Sequence, residues 1–264
     1  SRLMKTLNDI TFSKASESDV KRENANIDGD TAMGTMLKYG SESAKQFYEM
    51  CVLKPEHAKA HAEGDIHIHD LDFYTLTTTC CQIDIVKLFE GGFSTGHGVL
   101  REPNSIASYG ALAAIAIQAN QNDQHGGQSI VNFDYGMAKG VVKSFRSLYR
   151  KSVIAAFDLL CDNTDEDAIK AAIKAAEDET GEIARLEVSD AYVAAEAKQF
   201  KDAFGIDDAT VEHIQKYAHK AAVRETDRAT YQAMEGFIHN LNTMHSRAGA
   251  QTPFSSINYG MDTS

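Results

Sequence analysis

No proline interrupts the chain between Pro103 and Pro253. Proline is the strongest local barrier to a long helix, because it lacks an N–H and its ring clashes with the preceding turn. Long helices are therefore permitted there, and from Tyr135 to about Asn240 nearly everything reads as helix. The last of them carries Val211, Ile214, Ala218 and Ala222, then Ala229, Ala233, Phe237, Leu241 and Met244. Steps of three and four residues make one apolar stripe, alanine-rich in its middle, suited to a core or a dimer interface. Residues 162–190 are rich in Asp and Glu, which reads as a solvated helical surface.

The earlier part of the chain is more varied. Residues 1–23 are polar and aperiodic, a tail or linker. A helix from Asp30 to Val52, bent near Gly40, takes Asp28 or Asp30 as its cap. Pro55 suits the first turn of a short helix that Gly64 ends. At residues 65–81 the period changes. Ile66 and Ile68 alternate with His67 and His69, a strand signature, and the β-branched run before Cys81 suits a second extended segment. Residues 83–89 read as a short helix and GGFSTGHG as a loop. A helix from Ile106 closes before His125-Gly126-Gly127, Ser129–Phe133 forms a short strand, and PFSSINYG a last one.

The 264 residues are 43% hydrophobic and 24% charged, an ordinary soluble globular composition with room for a real core. No apolar run approaches the roughly 20 residues of a membrane helix. The N-terminus lacks a signal-peptide core, so the expectation is a cytoplasmic protein. It starts with Ser, as a chain that begins inside a longer protein or follows tag removal. A net charge of -12 argues against nucleic acid as a bulk partner. Small anions stay possible at helix N-termini. Without a secretion signal, Cys51, Cys80, Cys81 and Cys161 are not a disulfide framework. Cys51 and Cys161, in apolar helical stretches, read as small buried hydrophobes.

Reactive side chains are densest in GDIHIHDLDFYTLTTTCCQ, residues 64–82. In a strand His67 and His69 share a face. Such a pair can bind metal, contact an anionic substrate, or serve structure by bonding to Asp70 or Asp72. Cys81 can be nucleophile, ligand or hydrogen donor, as its acidity and exposure decide. In a strand Cys80 and Cys81 face opposite ways, one toward a pocket and one toward packing. Asn104 and Ser105 start a helix whose free N–H groups suit a phosphate or plain capping. Lys143, Arg146 and Arg150 share one helix face, either a solvated surface or an anion site.

The runs HIHDLDFY, Cys81, GFSTGHG, REPNSIAS, HGGQSI and NTMHSRAGAQTPF, in that order, resemble the anaerobic (class III) ribonucleoside triphosphate reductases over about Asn24 to Gly260. The resemblance implies an α/β, helix-rich fold. Residues 24–264 would be the first half of a ten-stranded glycyl-radical barrel, with long dimer-forming helices. It implies reduction of ribonucleoside triphosphates at the 2′ carbon, with a thiyl radical taking the 3′ hydrogen. Cys81 matches the second cysteine, which delivers a proton or hydrogen atom from the opposite ribose face, and His67 an active-site histidine. Cys80 stands where some members have asparagine, which leaves formate or a thiol as reductant. His69, Asn104, Ser105, Ser129 and Thr252 are the implied substrate contacts. Lys143, Arg146 and Arg150 are the implied site for a deoxynucleoside triphosphate or ATP effector. The implied partners are an iron-sulfur, S-adenosylmethionine-dependent activating enzyme and a second copy of the chain. No metal is expected in this part, since the family's zinc site, thiyl loop and radical glycine match nothing before Ser264. The chain alone is expected to be inactive. Two other readings are a non-catalytic effector-binding and dimerisation module, and a metal-dependent hydrolase using His67 and His69.

Overall fold

The computed structural model describes residues 2–14, 17, 29–74, 77–96, 98–161, 165–244 and 254–260. In chain order the elements are α1 (Arg2–Phe12), α2 (Ala32–Phe47), α3 (Pro55–Glu63), β1 (Thr78–Ile83), α4 (Ile85–Leu88), β2 (Phe93–Ser94) and β3 (Val99–Leu100). They continue with α5 (Ile106–Asp123), β4 (Gln124–Ile130), α6 (Phe133–Leu160), α7 (Glu166–Thr180), α8 (Asp190–Phe204), α9 (Asp208–Thr243) and β5 (Ser255–Ile257). Helix dominates and the sheets are small, as expected of a helix-rich α/β chain. The chain divides into two compact units. One holds residues 1–84, 114–131 and 239–258, and the other residues 85–113, 132–238 and 259–264.

The first unit carries the main sheet, three parallel strands in the order β1-β4-β5. Strand β4 begins at Gln124, earlier than the expected Ser129. Its first residues alternate no apolar side chains, because Gln124, His125 and Gln128 are buried polar groups. Gln128 is satisfied from α5: its Nε2 donates to the Ile117 carbonyl at 2.9 Å, and Asn120 Nδ2 donates to its Oε1 at 2.7 Å. Such partners offset the cost of burying an amide. Part of the segment read as a polar tail is α1. Leu3, Leu7 and Ile10 repeat at helical spacing, and Ile10 is fully buried. Thr31, not Asp30, caps α2, its Oγ1 accepting from Gly34 N at 3.0 Å. Asp28 lies outside the described residues. A wider π-type turn, Tyr48–Val52, follows α2 and leaves Cys51 exposed, against the buried position expected of it. Pro55 and Gly64 bound α3 as the sequence indicates.

The second unit is mostly helical. Phe145, Tyr149, Val153 and Phe157 of α6 meet Ile169 and Ile173 of α7, Tyr192 and Phe200 of α8, and Val211 and Ile214 of α9. Asp165 and Ser189 cap α7 and α8, and Gly181 and Gly205, both left-handed, close them. Cys161 sits half-buried at the end of α6. The acidic surface of α7 has one exception, Glu177, which is buried. No helix is long and apolar enough to cross a membrane, among the described residues.

Candidate active site around the vicinal cysteines

Strand β1 brings Cys80 and Cys81 beside β4. Thr79 pairs with His125 and Cys81 with Gln128, so two steps along β1 face three along β4. The extra residue makes a bulge. Two left-handed residues face each other across it, Cys80 (φ 50°) and Gly126 (φ 86°). A Cβ on Gly126 would lie 2.9 Å from Cys80 Sγ and 3.3 Å from Thr79 Oγ1, so a glycine is required there. Cys80 is exposed and Cys81 half-buried. The Thr79 hydroxyl donates to Cys80 Sγ at 3.8 Å. A non-glycine residue held left-handed costs energy that the surroundings must offset, and such residues cluster at functional sites.

The histidine segment is not the strand that its alternation suggests. The N–H groups of Asp65 and Ile66 both donate back to the Ala60 carbonyl, at 2.9 and 3.3 Å, completing the end of α3. The Ile68 N–H donates to His61 Nδ1 at 3.3 Å. These donors are spent locally, so no ladder forms. The rings of His67 and His69 still lie close, 5.8 Å between centroids, and the His61 ring lies 5.8 Å from that of His67. His67 and His69 are exposed. Asp70, itself left-handed (φ 49°), places Oδ2 3.4 Å from His69 Nε2. Asp72 instead accepts from the Ser41 hydroxyl at 2.8 Å. Among the described residues no group of three or more His, Cys, Asp or Glu is placed to hold a metal ion.

Sequence reasoning missed His125, which it placed just past the end of a helix. Its ring stacks on Phe73 (4.7 Å, 6° between planes), its Nδ1 lies 3.2 Å from Thr77 Oγ1, and its Nε2 lies 3.9 Å from Asp70 Oδ2. The available signal was a histidine directly before two glycines, a place where backbone and ring must both fit a crowded neighbour.

Ser129 lies one step beyond Gln128 in β4, opposite Gln82 of β1 and Ser256 of β5. Thr252 lies outside the described residues. Asn104 and Ser105 belong to the second unit, where they help cap α5. Ser105 Oγ lies 2.8 Å from Ser108 Oγ and accepts from Ser108 N at 3.3 Å; Ser108 Oγ donates to Asn104 Oδ1 at 3.4 Å. The Ile106 N–H donates to Ser144 Oγ at 2.8 Å.

In the same unit Lys143, Arg146 and Arg150 line one open cleft of about 670 Å³ with Lys151, Lys170 and Lys174. Four of these cations are tied back, Lys170 to Glu166 and Asp167 at 3.1 and 3.4 Å. Lys143 Nζ donates to Glu102 Oε1 at 2.6 Å and to the Pro103 carbonyl at 2.9 Å. Arg146 Nε and Arg150 Nη2 donate to the two oxygens of Glu177 at 2.9 and 2.8 Å. One buried carboxylate thus balances two guanidinium groups, and among the described residues Glu102 is the only acidic one lining the cleft.

A small parallel sheet that presents adjacent thiols on a bulged strand, backed by helices, defines an α/β protein with a cysteine-centred site. Its relatives narrow the class. The family described as anaerobic ribonucleoside-triphosphate reductase matches residues 23–264. The reductase of Enterobacteria phage T4 is 25% identical over 254 residues, covering 93% of this chain and 31% of the phage protein. That of Escherichia coli is 25% identical over 244 residues, covering 92% of this chain and 26% of its own length. The chain belongs to this family, and it spans about a third or less of the length of these relatives.

Proposed function

We propose that this chain is the thiol-bearing part of an enzyme that reduces ribonucleoside triphosphates to deoxyribonucleoside triphosphates. The observation that carries the reading is the family match through the segment that sets Cys81 on β1. Cys81 delivers a proton or hydrogen atom to one face of the ribose as the 2′ hydroxyl leaves as water. His67 and His69 contact the nucleotide, with Ser129 and, from the implied set, Thr252. The glycyl radical of the family supplies one-electron initiation; the residues of this chain bind, orient and donate. Cys80, exposed beside Cys81, supports a thiol as reductant, with formate as the alternative. The parallel sheet is read as part of the first half of a ten-stranded barrel, and the long helices as its dimer contact. The test is a Cys81→Ser substitution in the full-length protein, assayed without oxygen after activation. Deoxynucleotide formation should fall on the order of a thousandfold, as for loss of a group that acts as part of a unit. Parental turnover in that variant would overturn the reading.

A second function of the same chain is effector binding in the cleft of the second unit. Six cationic side chains converge there, and among the described residues Lys151 and Lys174 make no ion pair. A triphosphate carries the charge and acceptor oxygens that such a cluster binds.

A further inference from the structure

The proposed reaction needs a cysteine held at a fixed place, yet the cysteine pair sits on the most irregular part of its strand. Two observations say what holds it. Above the bulge, His125 is 7% exposed, stacks on Phe73, lies 3.2 Å from Thr77 Oγ1 and has Asp70 Oδ2 3.9 Å from its Nε2. Below it, Gln128 is 4% exposed and bonded to the backbone and side chain of α5. Between them lie only Gly126 and Gly127, and Gly126 packs directly against Cys80 Sγ and Thr79. Glycines impose no conformation of their own. The shape of the bulge is therefore set by its two buried polar ends. The His125 end is also tied to the histidine segment, because Asp70 lies next to both His69 and His125.

We propose that His125 is a positioning residue for the Cys80–Cys81 pair. It joins the segment carrying His67, His69 and Asp70 to the strand carrying the thiols, so that both sides of the site keep one spacing. This rests on the reading of Cys81 given above, but the thiol geometry is measured separately from turnover. His125→Phe keeps an aromatic stack on Phe73 and loses both polar contacts. His125→Gln keeps a donor and an acceptor at similar reach and loses the ring.

The experiment uses the full-length protein and iodoacetamide, with alkylation of each cysteine followed by peptide mass spectrometry. In His125→Phe the alkylation rates of Cys80 and Cys81 should change about five- to tenfold, the effect expected from losing a buried hydrogen bond. Cys51, on a separate turn, should keep its parental rate and so report an intact fold. His125→Gln should restore much of the difference. Under steady state His125→Phe should lower kcat with KM little changed. Unchanged Cys80 and Cys81 rates in His125→Phe would overturn the proposal. So would equal effects on all three cysteines, which would mean general loosening. Failure of the reductase reading looks different: Cys81→Ser would keep turnover while the alkylation pattern in the His125 variants remained.

Discussion

Gly126 shows how tightly one position can be specified. Its φ of 86° and the 2.9 Å approach to Cys80 Sγ exclude a side chain for independent reasons, conformation and space. Gly126→Ala should destabilise the chain by about 2 kcal/mol, combining left-handed strain with a forced shift of the bulge. Urea unfolding of the parent and variant measures it, and a difference within error would mean that the bulge relaxes freely. Sequence alone located Cys80 and Cys81 and the closeness of His67 to His69. It did not reveal that the histidines lie on a turn, because Asp65 and Ile66 spend their N–H groups on the Ala60 carbonyl. Alternation of apolar and polar residues is silent about where the backbone donors go. His125 was illegible for a related reason, since a buried polar residue in a strand breaks the pattern by which strands are read.

At the scale of elements, a buried carboxylate joins three helices. Glu196 of α8 is 1% exposed and accepts from Tyr149 of α6 at 2.6 Å, from Tyr192 at 3.3 Å, and from Gln215 of α9 at 3.0 Å. Burial pushes its carboxyl above the ordinary 4.5, while these hydrogen bonds pull it down and Glu177 adds to the rise. The raised value means that the folded state holds this proton more tightly than the unfolded chain. Stability from Glu196 is then full below pH 4.5 and declines as pH rises through the folded value. Glu196→Gln should flatten the stability profile above about pH 4.3, where an unperturbed carboxyl ionises. Urea midpoints across that range give the answer, and an unchanged slope would remove Glu196 as the source. The helices themselves were readable, from the absence of proline and the stripe of α9. Thr226 takes a buried place in that stripe, where apolar spacing gave no sign of it. The α1 helix was overlooked because its apolar face is only three residues long among many polar ones.

For the whole molecule, charge and local chemistry point in opposite directions. The net charge of -12 repels anions at long range, and the cleft of α6 and α7 gathers six cations at short range. Local geometry prevails once a ligand is within about one Debye length, roughly 8 Å at physiological salt. A deoxynucleoside triphosphate at about a hundred times its Kd should therefore add about 2.7 kcal/mol to the stability of the protein. Lys143→Ala combined with Arg146→Ala should abolish that gain. Calorimetric titration of the double variant and its parent measures it, and equal affinities would exclude the cleft. The two-unit division was not visible in the sequence, because both α5 and α9 cross the boundary without a break in their helical pattern.

The bulge in β4 has a further consequence, one of phase. In a regular strand His125 and Gln128, three apart, would point to opposite faces. Both are buried, and the extra residue between them is what lets an odd spacing behave as an even one. Deleting Gly127 would not simply shorten the strand. It would leave His125 and Gln128 two apart in a regular strand, still on one face, and would remove the bulge that sets left-handed Cys80 against Gly126. What this one featureless residue contributes is therefore the bend at Cys80, not the side on which its neighbours lie.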